Sequence, residues 1–455
     1  MLTALERQAS ISSQTRQSLS ECHDCGLIQR LPRADEQASV LVCQRCGATL
    51  RQVRASSLAL CTICATSGLV LFVLALSLPA VSVWMQGGRY GRSDLLTGPA
   101  RLRQSGFWEL GLATLATLIV LPLLKLVTVL TMAICVRAGR VPRVLKACFA
   151  ALPTLTEWAM VDVFLLGAMI ALFRLKVWMV VSFGPALFAL GGSALCSIAV
   201  DAALDRFVFW RLVPLRAPVP EAEPSLPAQT SSPATWFGCS GCGRVARLPE
   251  GAECRRCECR VHARKPNMMQ RTTALIAAAA LLAIPANLLP VMSITKLGRG
   301  GPSTILGGTV ELAQAGLWGL AGLVLVASVC VPVFKLGALS YLLLSIRRGS
   351  RAGLLFRTRL YRVVALIGRW SMIDIFATMM LVALARFGWL GSVRPGLGAT
   401  AFCGVVALTM WASKSFDPRL IWDAAGLNPP LESTAEPLNP GGEAGDTDAP
   451  RWVTA

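Results

Sequence analysis

Residues 107–136 read FWELGLATLATLIVLPLLKLVTVLTMAICV, and residues 317–346 read LWGLAGLVLVASVCVPVFKLGALSYLLLSI. Each is an apolar run with a lysine in its middle, Lys125 or Lys335, three residues after a proline. A helix of this length extends about 45 Å at 1.5 Å per residue, more than the ~30 Å of a bilayer's hydrocarbon core. Working outward, further apolar windows fall at roughly 58–83, 149–173, 177–204, 272–295, 361–386 and 395–415, and the two quoted runs complete a set of eight spans. The whole chain of 455 residues agrees, with 54% hydrophobic residues, only 15% charged residues and a mean hydropathy of +0.58. That composition fits neither a water-soluble fold nor a disordered or collagen-like chain.

The net charge of +19 raises the question of nucleic acid. The positions of the basic residues answer it. With the N-terminus inside, 31 of the 44 Lys and Arg fall in segments on one side of the membrane, ten fall on the other, and Lys125, Lys335 and Arg369 lie within spans. This is the positive-inside pattern, with both termini in the cytosol and an added attraction to anionic headgroups, and no nucleic acid is expected as a partner. The first 57 residues carry no short apolar core of a cleavable signal, so the first span is expected to direct insertion.

The two halves repeat. GRSDLLTGPARL at 91–102 lies over GPSTILGGTVEL at 301–312, and LPLLK at 121–125 lies over VPVFK at 331–335, both at a shift of 210. WAMVDVF at 158–164 lies over WSMIDIF at 370–376 at a shift of 212. An even number of spans per half means that both copies insert the same way up, a parallel repeat.

Each half is preceded by a polar segment with two CxxC turns: Cys22/Cys25 and Cys43/Cys46, then Cys239/Cys242 and Cys254/Cys257. Two such turns bring four thiolates to one ion in a closed tetrahedral shell. In a reducing compartment a metal is expected at each set rather than disulfides, with zinc as a structural ion and iron as an alternative that uses the same ligands. Gly follows the second Cys in three of the turns. Glu258 breaks that pattern in the fourth, which puts the tightness of that turn in question. His23 and His262 are not needed as ligands; Cys61/Cys64 form a further CxxC on one helix face at the mouth of the first span, where a third metal site is the minor reading, and Cys135, Cys148, Cys196, Cys259, Cys330 and Cys403 read as buried small residues.

These features resemble the paraquat-inducible protein A family, the PqiA/LetA-like membrane proteins of Gram-negative envelopes. The resemblance covers about residues 20–420. It is carried by the duplicated plan, LLPVMSI at 288–294, LPLLK and VPVFK, and SFDPR at 415–419, with SLPAVSV at 77–83 and ALDRF at 203–207 as departures in the first half. It implies an inner-membrane, multi-pass component that moves phospholipid between the inner and outer membranes with a periplasmic MCE-domain protein, and it implies rubredoxin-like ribbons. The expected fold class is therefore an all-α integral membrane protein with eight transmembrane helices as two parallel four-helix modules, each preceded by a small cytosolic zinc ribbon. The domains expected are a first ribbon with a flexible start at 1–57, a first module at 58–213, a linker at 214–235, a second ribbon at 236–271, a second module at 272–420 and a disordered tail at 421–455.

An ionisable group inside a span costs about 2.5–3.5 kcal/mol on insertion scales, so each needs a partner or a wet cavity. Lys125 and Lys335 sit about 11 residues, or ~16 Å, from the cytosolic end of their helices. Asp162 and Asp374 lie at matching depth in the helices that follow, so the expected pairs are Lys125/Asp162 and Lys335/Asp374. Rival partners are Glu157 and Arg369, which occupy equivalent positions with opposite charge. Pro332 frees the carbonyl of Ser328, whose hydroxyl shares a face with Lys335. Ser328, Lys335 and Asp374, joined by Thr409, are expected to line one transport cavity. With Leu118 and Ala199 as the counterparts of Ser328 and Thr409, the second module is expected to be the working one. No GxxxxGK[ST] loop supplies a nucleotide site, and no His lies within a span to support a catalytic triad, so no enzyme is expected. A proton-sensitive Lys/Asp switch, a packing lock, a redox protein with iron-bound cysteines and a passive anchor for the partner remain as distinct readings.

Overall fold

The computed structural model describes residues 18–31, 40–52, 58–84, 90–176, 180–213, 235–248, 250–296, 299–384 and 391–428. Among them eight helices are long and apolar enough to cross a membrane. Spans one to four are Leu58–Ser77, Trp108–Arg137, Leu152–Phe173 and Pro185–Ala203, and spans five to eight are Met268–Leu288, Trp318–Arg347, Leu354–Ala383 and Leu397–Ser415. They follow from the apolar windows because hydrocarbon offers backbone groups no partner, and a helix satisfies them within its own segment.

The spans that carry the buried lysines are not regular. Span two contains a π-helical turn at Ala116–Val120 and span six contains one at Val326–Cys330, each immediately before the segment that holds Pro122 or Pro332. Proline cannot donate to the carbonyl four residues back and its ring crowds that carbonyl, and a widened turn relieves both problems. The spans that follow break at corresponding places. Span three stops at Trp158 and resumes at Val161, and the Met160 amide left over donates to the Thr117 carbonyl in the π turn of span two at 3.2 Å. Span seven passes through a 3₁₀ turn at Gly368–Met372. Broken helices at membrane depth are tolerated where protein covers them or a cavity receives them.

The molecule is mostly helical, but the expectation of an all-α chain is corrected by short strands. Val81–Trp84 pairs antiparallel with both Tyr90–Ser93 and Val180–Phe183, and Met292–Lys296 pairs in the same way with Arg299–Ser303 and Gly391–Pro395. These three-stranded sheets join the loops after spans one and three, and after spans five and seven. Their strands of four or five residues abut the apolar windows, which is why hydropathy absorbed them. Each sheet is fastened by a glycine. A Cβ on Gly184 would collide with the Pro79 carbonyl, and one on Gly396 with the Pro290 carbonyl. Gly184→Ala or Gly396→Ala is expected to cost about 1–3 kcal/mol and to lower the unfolding temperature in detergent, whereas Gly191→Ala, with open space around it, should not.

The halves meet through spans three and seven. Phe164 packs edge-to-face on Phe376 at 5.7 Å, and Gly167 lets the backbone at Ile373–Ala377 approach closely. The four-cysteine lobes, each of paired short strands, cross over. Cys22, Cys25, Cys43 and Cys46 share a core with Met268, Leu339, Val364 and Trp422 of the second half. Cys239, Cys242, Cys254 and Cys257 share one with Val129, Phe149 and Trp210 of the first half. The tail expected to be disordered from 421 keeps structure further: Trp422 is buried on a short helix at Arg419–Asp423, and Asn428 donates to the Cys25 carbonyl at 2.8 Å. Residues 1–17, the linker residues 214–234 and residues 429–455 lie outside the described residues.

Candidate metal centres and membrane-buried polar site

Within each lobe the four sulfurs lie within 4.8 Å of one another and are buried. Cys22 and Cys46 stand 3.5 Å apart, as do Cys25 and Cys43, while Cys239–Cys257 and Cys242–Cys254 stand 3.3 and 3.6 Å apart. Four sulfurs at about 2.3 Å from one ion would be separated by about 3.8 Å, so both sets fit a tetrahedral thiolate site. The turn geometry explains the glycines. In each knuckle the amide after the second Cys donates to the carbonyl of the first, and that residue has positive φ: Gly26 at 72°, Gly47 at 64°, Gly243 at 70°. Glu258 adopts φ 62° and makes the same bond to Cys254 at 2.8 Å, so the missing glycine leaves the turn intact. Its carboxylate bonds Lys146 at 2.9 Å and Arg143 at 2.5 Å, fixing the lobe to the first half. His23 and His262 are exposed and belong to neither set.

In the second half Lys335 is completely buried, and its Nζ donates to Thr409 Oγ1 at 3.0 Å. Thr409 in turn donates to the Val406 carbonyl, so its oxygen is aimed at the ammonium. Gly368, at the start of the 3₁₀ turn, faces the same amine. Two buried hydroxyls, Ser328 Oγ in the π turn and Ser371 Oγ in the 3₁₀ turn, have no hydrogen-bond partner. A buried hydroxyl without a partner costs about 1–3 kcal/mol, which two helix breaks in contact concentrate at one depth. Asp374 is the second residue of the helix after the 3₁₀ turn, and its side chain, like that of Arg369, lies outside the described residues.

The first half differs from expectation in two ways. Lys125 takes Asp201 and Ser197 of span four as partners, each at 2.7 Å, so the Lys125/Asp162 pairing is corrected. Thr409 does not correspond to Ala199. Beyond the loop between spans two and three the repeat runs at a shift of 212, as Gly184/Gly396 and Asp205/Asp417 also show, and Thr409 then falls on Ser197. Both halves therefore retain a lysine-to-hydroxyl bond. The difference is Asp201, where the second half has Ser413, a residue that bonds its own helix. The sequence held this signal, because WAMVDVF over WSMIDIF already shows the changed shift. Glu157 pairs with Lys414 of span eight at 2.6 Å. Asp201→Asn leaves Lys125 buried without its carboxylate. Because that carboxylate is 37% exposed, a loss of about 1–3 kcal/mol is expected in thermal unfolding, below the 3–5 of a fully buried pair. The double variant Lys125→Met/Asp201→Asn should recover most of it.

Repeated broken spans around buried lysines, with two four-thiol lobes docked at one end, define a membrane protein of duplicated plan. The family model described as paraquat-inducible protein A matches residues 58–213 and 269–426, and the chain belongs to that family. It is 33% identical over 270 residues to the intermembrane transport protein PqiA of Escherichia coli K12, covering 59% of this chain and 64% of that one. It is 30% identical over 273 residues to lipophilic envelope-spanning tunnel protein A of the same strain, covering 60% and 61%, and 31% identical over 169 residues to a probable intermembrane transport protein of Haemophilus influenzae, covering 37% and 41%. The matches thus span less than two thirds of these relatives' lengths. No solved structure matches the chain.

Proposed function

We propose that this protein moves phospholipid between the inner and outer membranes of a Gram-negative envelope, working with a periplasmic MCE-domain partner. It would lie in the inner membrane as two parallel four-helix modules, with both termini and both rubredoxin-like ribbons in the cytosol. The relatives' names, intermembrane transport protein and envelope-spanning tunnel protein, support a transport role and make an enzyme the poorer reading. The observation that carries the reading is the buried Lys335 ammonium, held by a hydroxyl, in a half where two contacting helix breaks each bury an unpartnered hydroxyl. An ammonium and a carboxylate, Asp374, at matching depth could exchange a proton with small rearrangement, letting a proton gradient bias two conformations. In the first half Asp201 fixes the lysine, which suits a scaffold or regulator.

Each four-cysteine set would hold one zinc ion as a structural clamp. The redox reading is tested by metal content and colour: colourless protein with two zinc per chain is expected, and reddish, iron-loaded protein would replace the transport reading by electron transfer. The transport reading is tested by phospholipid exchange between membranes in cells that carry charge-neutral Lys335 or Asp374 variants. Loss of exchange in a protein that still assembles with its partner supports transport; retention makes the chain an anchor.

A further inference from the structure

The two cytosolic-side ends of the repeat have opposite charge balance. They share one crevice of about 670 Å³ between the lobes, with Arg419 at one end and Arg51, Arg206 and Trp210 at the other. At the second-half end Arg419 and Arg264 each have an acid, while the Lys265 ammonium donates to the Lys414 and Phe416 carbonyls. Arg419 bonds Asp417 at 3.0 Å and Glu21 at 2.8 Å, and Arg264 bonds Asp423 at 2.6 Å. Trp422 is satisfied too, its Nε1 donating to Thr358 at 3.1 Å.

The repeat shift of 212 places Trp210 over Trp422, Asp205 over Asp417 and Arg211 over Asp423, so an acid that anchors the second end is an arginine in the first. Arg51 and Arg211 lie over the ring of Phe207 at 4.5 and 4.8 Å. Asp205 is the acid of this end, and one of its oxygens is taken up capping the helix Arg206–Leu212 through the Phe207 and Val208 amides. Its other oxygen stands 3.5 Å from Arg51 and is a buried acceptor without a hydrogen bond. Arg206 spends one nitrogen on the carbonyls of Phe149, Ala150 and Gly241. The Nε atoms of Arg51, Arg206 and Arg256 and the Nε1 of Trp210, which is 1% exposed, are buried donors without an acceptor. Burial, then the nearby Arg51 and Arg256, hold the Arg211 guanidinium below its ordinary value, with Asp205 acting against them.

We infer that this end of the crevice binds a phosphate anion, with the free N–H groups of Arg51, Arg206 and Trp210 as donors and Arg211 and Arg256 as flanking charge. Planar guanidinium forks and an indole N–H suit phosphate oxygens, and an anion removes both the orphan donors and the mutual repulsion. The helix starts three residues after Ala203, where span four ends, so the phosphodiester of an anionic phospholipid and a free phosphate ion are both within reach of the same donors.

The test uses full-length protein in nanodiscs. Phosphatidylglycerol retention is measured by native mass spectrometry in mixed phosphatidylcholine/phosphatidylglycerol discs, and inorganic phosphate binding by calorimetry in phosphatidylcholine discs. Arg51→Gln should weaken binding about tenfold or more by removing one charge-assisted contact, and Arg211→Asp, which installs the second half's residue, should weaken it about tenfold by reversing a flanking charge. Arg140→Asp, the same charge change at an exposed loop, should not. Retention of phosphatidylglycerol alone assigns a headgroup, and phosphate binding assigns a free ion. Binding of neither probe by the wild type overturns the inference, as does equal binding by Arg211→Asp, Arg51→Gln and Arg140→Asp.

Discussion

Lys335→Met is expected to abolish function while leaving the protein in the membrane. The substitution keeps the length and apolar stem of the side chain and removes the ammonium that Thr409 faces. It also removes the cost of a buried charge, so stability should hold or rise, since replacing a buried ionic group by a well-packed apolar one is often neutral or stabilising. Phospholipid exchange between the membranes should fall to the level of cells lacking the protein, with protein abundance unchanged. Thr409→Val should act in the same direction more weakly. It removes the acceptor but leaves the charge, and an ammonium stripped of a buried partner loses about 1.5–3 kcal/mol of hydrogen bonding. Lys125→Met should be far milder, because the first-half lysine is fastened to Asp201 and Ser197 whatever the second half does.

The second large effect concerns metal. Structural zinc in four-thiolate sites contributes about 10–16 kcal/mol in small peptides, as much as or more than the whole stability of a typical domain, about 5–15 kcal/mol. Cys43→Ser should therefore unfold the first lobe and halve the metal content. Because that lobe shares its core with Met268, Val364 and Trp422, the damage should appear in the other half of the chain. Hydrogen exchange should rise around 338–346 and 412–422 while 129–133 stays protected, and Cys254→Ser should give the reverse pattern through Val129, Phe149 and Trp210. Damage confined to the mutated lobe would mean that the docking seen here contributes little.

The eight spans, the duplicated halves and the two thiol sets were legible in the sequence, because each rests on a strong local rule: apolar length, self-similarity and CxxC spacing. Tertiary choices were not. Lys125 found Asp201, one turn beyond Ser197 on span four, rather than Asp162 at matching depth, since equal depth does not say which helix is the neighbour. The crossing of the lobes left no local trace either, although Glu21, Arg362 and Arg419 carry it: Arg362 holds Asp24 at 2.6 Å and Glu21 accepts from Arg419. Nothing in the sequence marks Ser371, because hydropathy gives no sign of the 3₁₀ turn that buries its hydroxyl. Glu258 shows the opposite case. A broken glycine rule was legible, yet Glu258 adopts the left-handed conformation the turn requires and makes its backbone bond to Cys254, while its carboxylate pairs with Lys146 and Arg143.

The most direct measurement is phospholipid transfer by proteoliposomes that hold this protein and the proposed MCE-domain partner at equal density, with and without an imposed proton gradient, for the wild type and Lys335→Met. Transfer that responds to the gradient is expected in the wild type, and no gradient-dependent transfer in the variant. Equal, gradient-indifferent transfer by both proteins would contradict coupling through Lys335.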